Sequence, residues 1–337
     1  MPSISLISPP NGSTSAPLQA FTWEGLTDES PELTPRLERS LPRPISFAWS
    51  SSEPEGDGLR YDLLVAADGD FSRARALRDL IKPAADLPHL FVDTRYFWKV
   101  IARRGEQMLD ESPVWTFRTH PELPRWILIP GTTNVRDVGG WRIGDGRRVR
   151  QGLIYRSAEL NTHLQVTPEG AAILQDELGI RTDLDLRGIN GDENPQPALD
   201  PGRVNWVNMK LVAYQEIFTE RGQPGILQAF QVLADLAAYP VLVHCWGGAD
   251  RTGTLVFLLN ALLGVELPDL AYDYELTSYS VSALRRSSSP EFQAMLEGLK
   301  AFAPAGASLQ AQVEAYLASL GVTAEQMALL RQLLVES

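Results

Sequence analysis

The sequence predicts an all-β sandwich followed by an α/β domain whose central, mostly parallel sheet is flanked by helices. Three observations carry this. Up to about residue 120, short aromatic-rich runs alternate in polarity and are split by Pro/Gly turn clusters. After the linker-like "THPELPR" (119–125) the pattern changes to strand-like and helix-like runs in turn. The one cysteine of the chain sits between a buried-strand run and a buried-helix run. The division is placed at 1–121 and 122–337, and a chain of 337 residues is long enough for two cores.

In the first part the strand-like runs are "LQAFTWEGL", "PISFAWSSS", "RYDLLVAAD", "TRYFWKVIARR" and "SPVWTFRT", separated by turns such as "PPNGS" and "EPEGDG". The Pro-rich, charged insert at 28–44 is expected to be an exposed loop. Trp49, "YDLLVAADGDFS" (61–72), "YFWKVIARRG" (96–105) and "SPVWTFRT" (112–119) give this part a resemblance to fibronectin type III-like domains. The resemblance implies a contact or spacer module without chemistry of its own, through which a protein partner would bind. Strand alternation buries one face, so the tryptophans are read as core rather than as a carbohydrate-binding surface.

In the second part "WILIP", "LIYRS", "TDLDLR", "VNWVNMKL" and "VLVHC" read as strands. The helical runs are "TPEGAAILQDEL", "PGILQAFQVLADLAAY" and "GTLVFLLNALLG". From about residue 268 the chain reads as helical to its end, several segments opening on a Ser, Thr or Asp N-cap. Arg285 and Arg286 fall in this region and are read as a solvated helix face, the rim of a pocket being the alternative.

Between "VLV" and "RTGTLVFLLNALL" lies "HCWGGAD". A strand-to-helix turn of this length points several backbone N–H groups inward, and with the helix N-terminus they form an anion site. The same positive potential favours a thiolate, which makes Cys245 a nucleophile. Five residues on, Arg251 presents a planar fork to two oxygens of a phosphoryl group. Gly247, Gly248 and Gly253 allow close backbone approach. Trp246, Gly247, Gly248, Ala249, Arg251, Thr252 and Gly253 are therefore read as the phosphate cradle. The expected chemistry is attack of the thiolate on a phosphate monoester, followed by hydrolysis of the cysteinyl phosphate. Asp250 is placed to protonate the leaving oxygen and then to activate water. The hydroxyl of Thr252 would bond the sulfur, and His244 would hold the loop. No cofactor or metal is called for. The four histidines are scattered, without metal-ligand spacing.

Other acids and bases stay open. Asp185 and Arg187 in "DLDLR" are either neighbours of the reacting groups, Arg187 facing the phosphate, or a structural ion pair. Asp192 and Glu193 in "GINGDENP" supply a second candidate proton donor. Asp137 is either functional or a turn-forming aspartate. Trp246 either walls the pocket or packs beneath the loop.

"HCWGGADRTG" (244–253) resembles the Cys-x5-Arg protein phosphatases. With "TNVRDVGGW" (133–141), "GLIYRSAEL" (152–160), "IRTDLDLR" (180–187) and "VEAYLASLGVTAEQMALLRQLL" (313–334), residues 126–337 resemble the bacterial tyrosine/dual-specificity phosphatases that place an aspartate before the arginine. The resemblance implies a protein-tyrosine-phosphatase-like fold, metal-free hydrolysis and roles for Cys245, Asp250 and Arg251. It also implies that Arg136, Asp137 and Arg156 lie near the pocket. Members often carry a lysine where this chain has Ala249. One cation fewer in the cradle favours a monophosphorylated protein residue or small phosphomonoester over polyphosphorylated substrates such as phosphoinositides, which stay the alternative. A sulfurtransferase and an inactive phosphate-binding module are the remaining readings.

A net charge of −12 leaves no global attraction for nucleic acid or an acidic membrane surface, so an anionic substrate must be held by local positive potential. The apolar runs are too short to span a bilayer. "MPSISLISPPNGSTS" lacks a basic start and an apolar h-region, which predicts a cytoplasmic chain, export after removal of a signal being the alternative.

Overall fold

The computed structural model describes residues 4–19, 39–52, 58–189, 195–280 and 284–336 and divides into two compact units. One holds the described residues up to 19 together with Pro42–Arg125, and the other holds the described residues 39–41 together with the chain onward from Trp126.

In the first unit the strands are β1 (Ile4–Ser8), β2 (Ser13–Thr14), β3 (Ile45–Ser51), β4 (Leu59–Ala66), β5 (Arg75–Leu80), β6 (Ala84–Leu87), β7 (Arg95–Arg104), β8 (Gln107–Glu111) and β9 (Trp115–Arg118). They form a sheet in the order β1-β3-β6 and a second in the order β2-β9-β7-β4-β5, with β8 paired to β7. Alternation does what it predicts. Along β7 every second side chain from Tyr96 is buried, and Trp98 and Val100 are wholly so. Phe47 meets Trp98 edge-on at 5.1 Å, and Trp49 meets Tyr61 at 5.5 Å. The tryptophans at 49 and 98 are thus core, each large apolar side chain contributing roughly 1.5–3 kcal/mol on burial. The run "LQAFTWEGL" lies mostly outside the described residues, as does the insert as far as residue 38. The unit extends to Arg125, whose guanidinium donates to the carbonyl of His89 at 3.0 Å and stacks over Phe91.

The second unit is α/β. Its sheet consists of β10 (Arg136–Asp137), β11 (Ile154–Ser157), β12 (Thr182–Asp185), β13 (Asn205–Asn208) and β14 (Val241–His244), in the order β10-β11-β14-β12-β13. All neighbours are parallel except β10 and β11. Every residue of β11, β12 and β14 is buried, as in a sheet covered on both faces. Register places Ser157, His244 and Asp185 side by side, so the loops leaving three strands open on one edge.

The helices are α1 (Pro168–Ala172), α2 (Gln223–Leu233), α3 (Asp250–Leu263), α4 (Leu267–Leu276), α5 (Pro290–Leu299), α6 (Leu309–Leu320) and α7 (Ala324–Leu334). Side chains of Thr167, Ser289, Ser308 and Thr323 cap four of them, the last in a capping box with Gln326. Helix α3 is apolar all round and accordingly buried from Thr252 to Leu263. The expected strand at "WILIP" does not form. Trp126, Ile127 and Ile129 are buried, but their tract meets the sheet through an isolated bridge from Trp126 to Arg136. Strand β10 takes the sheet position instead.

Candidate active site

The loop from Cys245 to Ala249 links central strand β14 to the N-terminus of α3. Its carbonyls are gripped from outside. That of Trp246 accepts from the Glu159 amide at 2.9 Å. The carbonyls of Gly247 and Gly248 each accept from Nδ2 of Asn134 at 3.1 Å, and Gly248 also accepts from Nη2 of Arg156 at 2.7 Å. A trans peptide is planar, so each anchored carbonyl turns the next residue's N–H to the opposite side. The N–H groups of Gly247, Gly248 and Ala249 therefore face the inside of the turn. The first turn of α3 adds its own orphan donors, since no side chain caps that end. Gly248 has φ of +63°, and a Cβ there would lie 2.2 Å from the Ser157 carbonyl oxygen, so no other residue fits without displacing backbone. Cys245 is the chain's one cysteine, a free thiol, and is 2 % exposed at the start of this turn.

Behind the loop stands a buried ionic brace. Asp273 of α4 accepts from Nε of Arg136 at 2.8 Å and from Nη1 of Arg156 at 2.6 Å, and its backbone carbonyl accepts from Nη2 of Arg136 at 2.7 Å. Arg136 also donates to the Asn134 side-chain carbonyl and lies over the Trp126 ring. Burial and the neighbouring Arg156 charge push Arg136 down to about 10, Asp273 opposing them. Burial disfavours the Asp273 carboxylate, yet the two guanidiniums outweigh it and hold the group below the usual carboxylate range. Asn134 adopts φ of 58°, the left-handed conformation asparagine tolerates, and so aims its amide at the loop.

The mouth differs. Arg251 is half-buried and makes no hydrogen bond or ion pair with any described residue. Asp250 is taken up by Arg285, whose Nε donates to Oδ1 at 2.7 Å and Nη2 to Oδ2 at 2.8 Å. The Tyr214 hydroxyl also donates to Oδ1 and lies 2.6 Å from the Tyr274 hydroxyl. Burial alone would raise Asp250, but the bonds from Arg285 and Tyr214 outweigh it and lower it.

His244 closes β14 with its ring buried and Nε2 2.8 Å from Oδ1 of Asp183. Burial opposes the imidazolium, yet the carboxylates of Asp183 and Asp185 prevail and hold it up at about 9. His244 is thus a charged post under the strand end. Trp246 is 49 % exposed, and its indole N–H donates to Nδ1 of His163 at 2.8 Å. It stands at the rim and does not pack beneath the loop. Ala249 is buried, and Gly253 lies in the first turn of α3 against Tyr274 and Arg156.

Two open alternatives resolve to structural roles, the placement of two arginines is refined, and one expectation, the Thr252 bond to sulfur, needs correction. Arg187 does not face the anion site. Its fork is closed on Asp185 at 2.9 and 2.8 Å, on Glu159 at 2.9 Å and on Asn161, so Asp185 and Arg187 are a structural ion pair. The Asp137 carboxylate accepts from the amides of Gly139 and Gly152, each at 2.8 Å, and serves as a turn former. Arg136 and Arg156 lie behind the loop with guanidiniums turned to Asp273 and backbone. The Thr252 hydroxyl is buried in α3 without a hydrogen-bond partner, to the sulfur or otherwise. Asp192 and Glu193 lie outside the described residues. Among the described residues no three His, Cys, Asp or Glu side chains gather as a metal-ligand set. No described helix is long and apolar enough to cross a membrane.

The model of the tyrosine phosphatase family matches residues 127–336, more than half of the chain. The chain belongs to that family. A Cupriavidus necator protein whose name places it among the tyrosine-protein phosphatases is 31% identical over 169 residues, 42% of this chain and 59% of that protein. A tyrosine-protein phosphatase of Nostoc commune is 28% identical over 123 residues, 30% of this chain and 42% of that protein. The chain thus spans about half the length of these curated relatives. Among solved structures, the catalytic core of the S. cerevisiae PP-IP phosphatase Siw14 is 20% identical, covers 42% of this chain and 76% of that chain, and aligns with a TM-score of 0.31. A fibronectin type-III domain of a human protein is 22% identical, covers 36% of this chain and 86% of that chain, and has a TM-score of 0.23.

In this phosphatase-family chain two participants, Asp273 and Tyr214, lie outside the sequence reading, and a third, Arg285, takes the less favoured of its two readings. Asp273, Tyr214 and Arg285 reach the loop only through tertiary packing. The last, a solvated helix face or a pocket rim by sequence, has a side chain 21% exposed and bound to Asp250. The adjacent pair Arg285-Arg286 in an acidic chain was the one available signal.

Proposed function

We propose that this protein hydrolyses phosphate monoesters, phosphotyrosine foremost, through a phosphocysteine on Cys245. The observation that carries the reading is the turn itself. Its carbonyls are tied outward, its amides face inward around the start of α3, and Arg251 enters that helix's first turn with no side-chain partner among the described residues. That arrangement complements the equatorial oxygens of a phosphoryl group in transfer.

The Cys245 thiolate attacks phosphorus. The bond to the ester oxygen breaks, its electron pair leaves on that oxygen, and a proton from Asp250 completes the alcohol. Water then attacks phosphorus and gives a proton to the Asp250 carboxylate. The S–P bond breaks, and its pair returns to sulfur. Arg251 and the amides hold the three non-bridging oxygens throughout. The Trp246 indole, exposed next to the nucleophile, offers an aromatic wall to a phenyl ring. Ala249 brings no further cation, which suits a single phosphate group.

The sandwich unit is assigned to partner or substrate recruitment, and its exposed Ile81 and Met108 suit a contact surface. Soluble chemistry on a phosphorylated protein in the cytoplasm fits this assignment.

The deciding experiment is a panel of phosphotyrosine, phosphoserine and phosphothreonine peptides with phosphoinositides, assayed on the full chain without added metal. Turnover of phosphotyrosine peptide, lost in Cys245→Ser with the fold intact, is expected. Turnover confined to phosphoinositides would replace this reading with the alternative substrate class. Unchanged turnover in Cys245→Ser would end both.

A further inference from the structure

Arg285 has no place in the reaction sequence above, yet it makes the most complete side-chain contact at the mouth. Its fork lies on both oxygens of Asp250 at 2.7 and 2.8 Å, the bidentate geometry of a strong charge-assisted pair. The pair is only partly open to solvent, at 21% and 39% exposure for the two side chains. A second donor approaches from a different element, since Tyr214 follows β13 and its hydroxyl donates to Oδ1. Tyr274 of α4 stands behind Tyr214 at 2.6 Å. From α3 itself the charge of Arg251 falls on the same carboxylate. Among the described residues, Arg285, Tyr214 and Arg251 thus favour the ionised form of Asp250, and burial opposes it.

An ionised Asp250 suits the second step, in which it takes a proton from water. In the first step it must give one. How much this matters depends on the leaving oxygen. A phenolate is stable enough to depart with little help, whereas an aliphatic alkoxide is far more basic and needs the proton as the P–O bond breaks. We propose that Arg285 is a specificity-determining positioning residue: closed on Asp250, it withholds the loop's acid from leaving groups that need a proton and so biases the enzyme toward aryl over alkyl phosphate monoesters. This inference rests on the phosphatase reading above.

The test compares kcat/KM for an aryl phosphate and an aliphatic phosphate across the acid-to-neutral range, in the native chain, Arg285→Met, Arg285→Lys and Tyr214→Phe, each with and without Asp250→Asn. Arg285→Met is expected to move the basic limb of the alkyl profile to higher pH. It should also narrow the aryl-to-alkyl ratio about tenfold for each unit by which Asp250 titration moves. Arg285→Lys, which keeps charge without the fork, should recover part of the native ratio, and Tyr214→Phe should show a smaller shift of the same sign. All of these changes should disappear in the Asp250→Asn background. The idea fails if the ratio and the limb are unchanged, or if they shift equally without Asp250. It also fails if KM rises alike for both substrates, which would make Arg285 a direct substrate contact. Should Arg285→Met not fold, Arg285→Lys and Tyr214→Phe decide the matter by the same readouts. Absence of any monoester turnover by the native chain would instead bring down the phosphatase reading itself, and this inference with it.

Discussion

The floor and the mouth of the Cys245–Ala249 loop use the same chemical parts in opposite ways. At the floor, Arg136 and Arg156 are fully buried and share Asp273, and their other hydrogen bonds go to backbone or Asn134, with Arg136 also lying over Trp126. At the mouth, the Arg251 side chain has no hydrogen bond or ion pair to a described residue, and Asp250 is half open with its carboxylate bound by Arg285 and Tyr214. Guanidiniums buried behind the loop and tied to Asp273 and backbone cannot reach an incoming anion, but they fix the peptide planes that do. A guanidinium without partners does the reverse. The count of arginines near a phosphate loop therefore says less than the state of their forks.

That contrast is most severely tested by Asp273→Asn. Removing one partner leaves buried guanidinium charge uncompensated, and a loss of about 3–5 kcal/mol is expected in denaturant unfolding. The native carboxyl is depressed, so its contribution is complete above the ordinary aspartate range and is lost as pH falls through the folded value. The difference in unfolding free energy between the native chain and Asp273→Asn should shrink as pH falls through that value. Arg251→Lys should do the opposite. Losing the fork should cut kcat/KM about 10²–10³-fold on an aryl phosphate while leaving unfolding nearly unchanged. Equal stability losses in the two variants would erase the distinction between floor and mouth.

His244 sharpens it further. With its folded value raised from 6.5 to about 9, its stabilisation is fully present below 6.5 and is lost as pH rises through 9. The swing is on the order of 3 kcal/mol, and the difference in unfolding free energy between the native chain and His244→Gln should trace it. Gly248→Ala should cost about 1–3 kcal/mol of stability from the left-handed strain alone, before any displacement of the Ser157 backbone. It should also impair turnover visibly, because the added Cβ presses on the Ser157 carbonyl and turns the amides.

The fold class and the reactive turn were legible because both are local. Alternation, helical period and the stretch from His244 to Gly253 each lie within a few neighbours of one another. The families of contacts that decide roles are not. Arg285 and Tyr214 stand 35 and 36 positions from Asp250, and no periodicity connects them. The role of Arg187 stayed open for a related reason. A strand's C-terminal edge places a side chain beside the site but does not say whether nearer carboxylates, here Asp185 and Glu159, will claim it. The tract "WILIP" failed as a strand because apolarity predicts burial without specifying a ladder partner. Thr252 has the expected burial but lacks the expected bond.

Asp273 belongs to α4, downstream of the whole signature segment, and still governs how that segment is shaped. The ten letters from His244 to Gly253 can be copied, transplanted or left behind in a fragment ending before α4 with their order intact. Such a piece would keep the spelling of a phosphatase and lose the two anchored arginines that hold its peptide planes in place. Recognition by signature and competence for the reaction are separable properties, and in this molecule the boundary between them runs through one carboxylate.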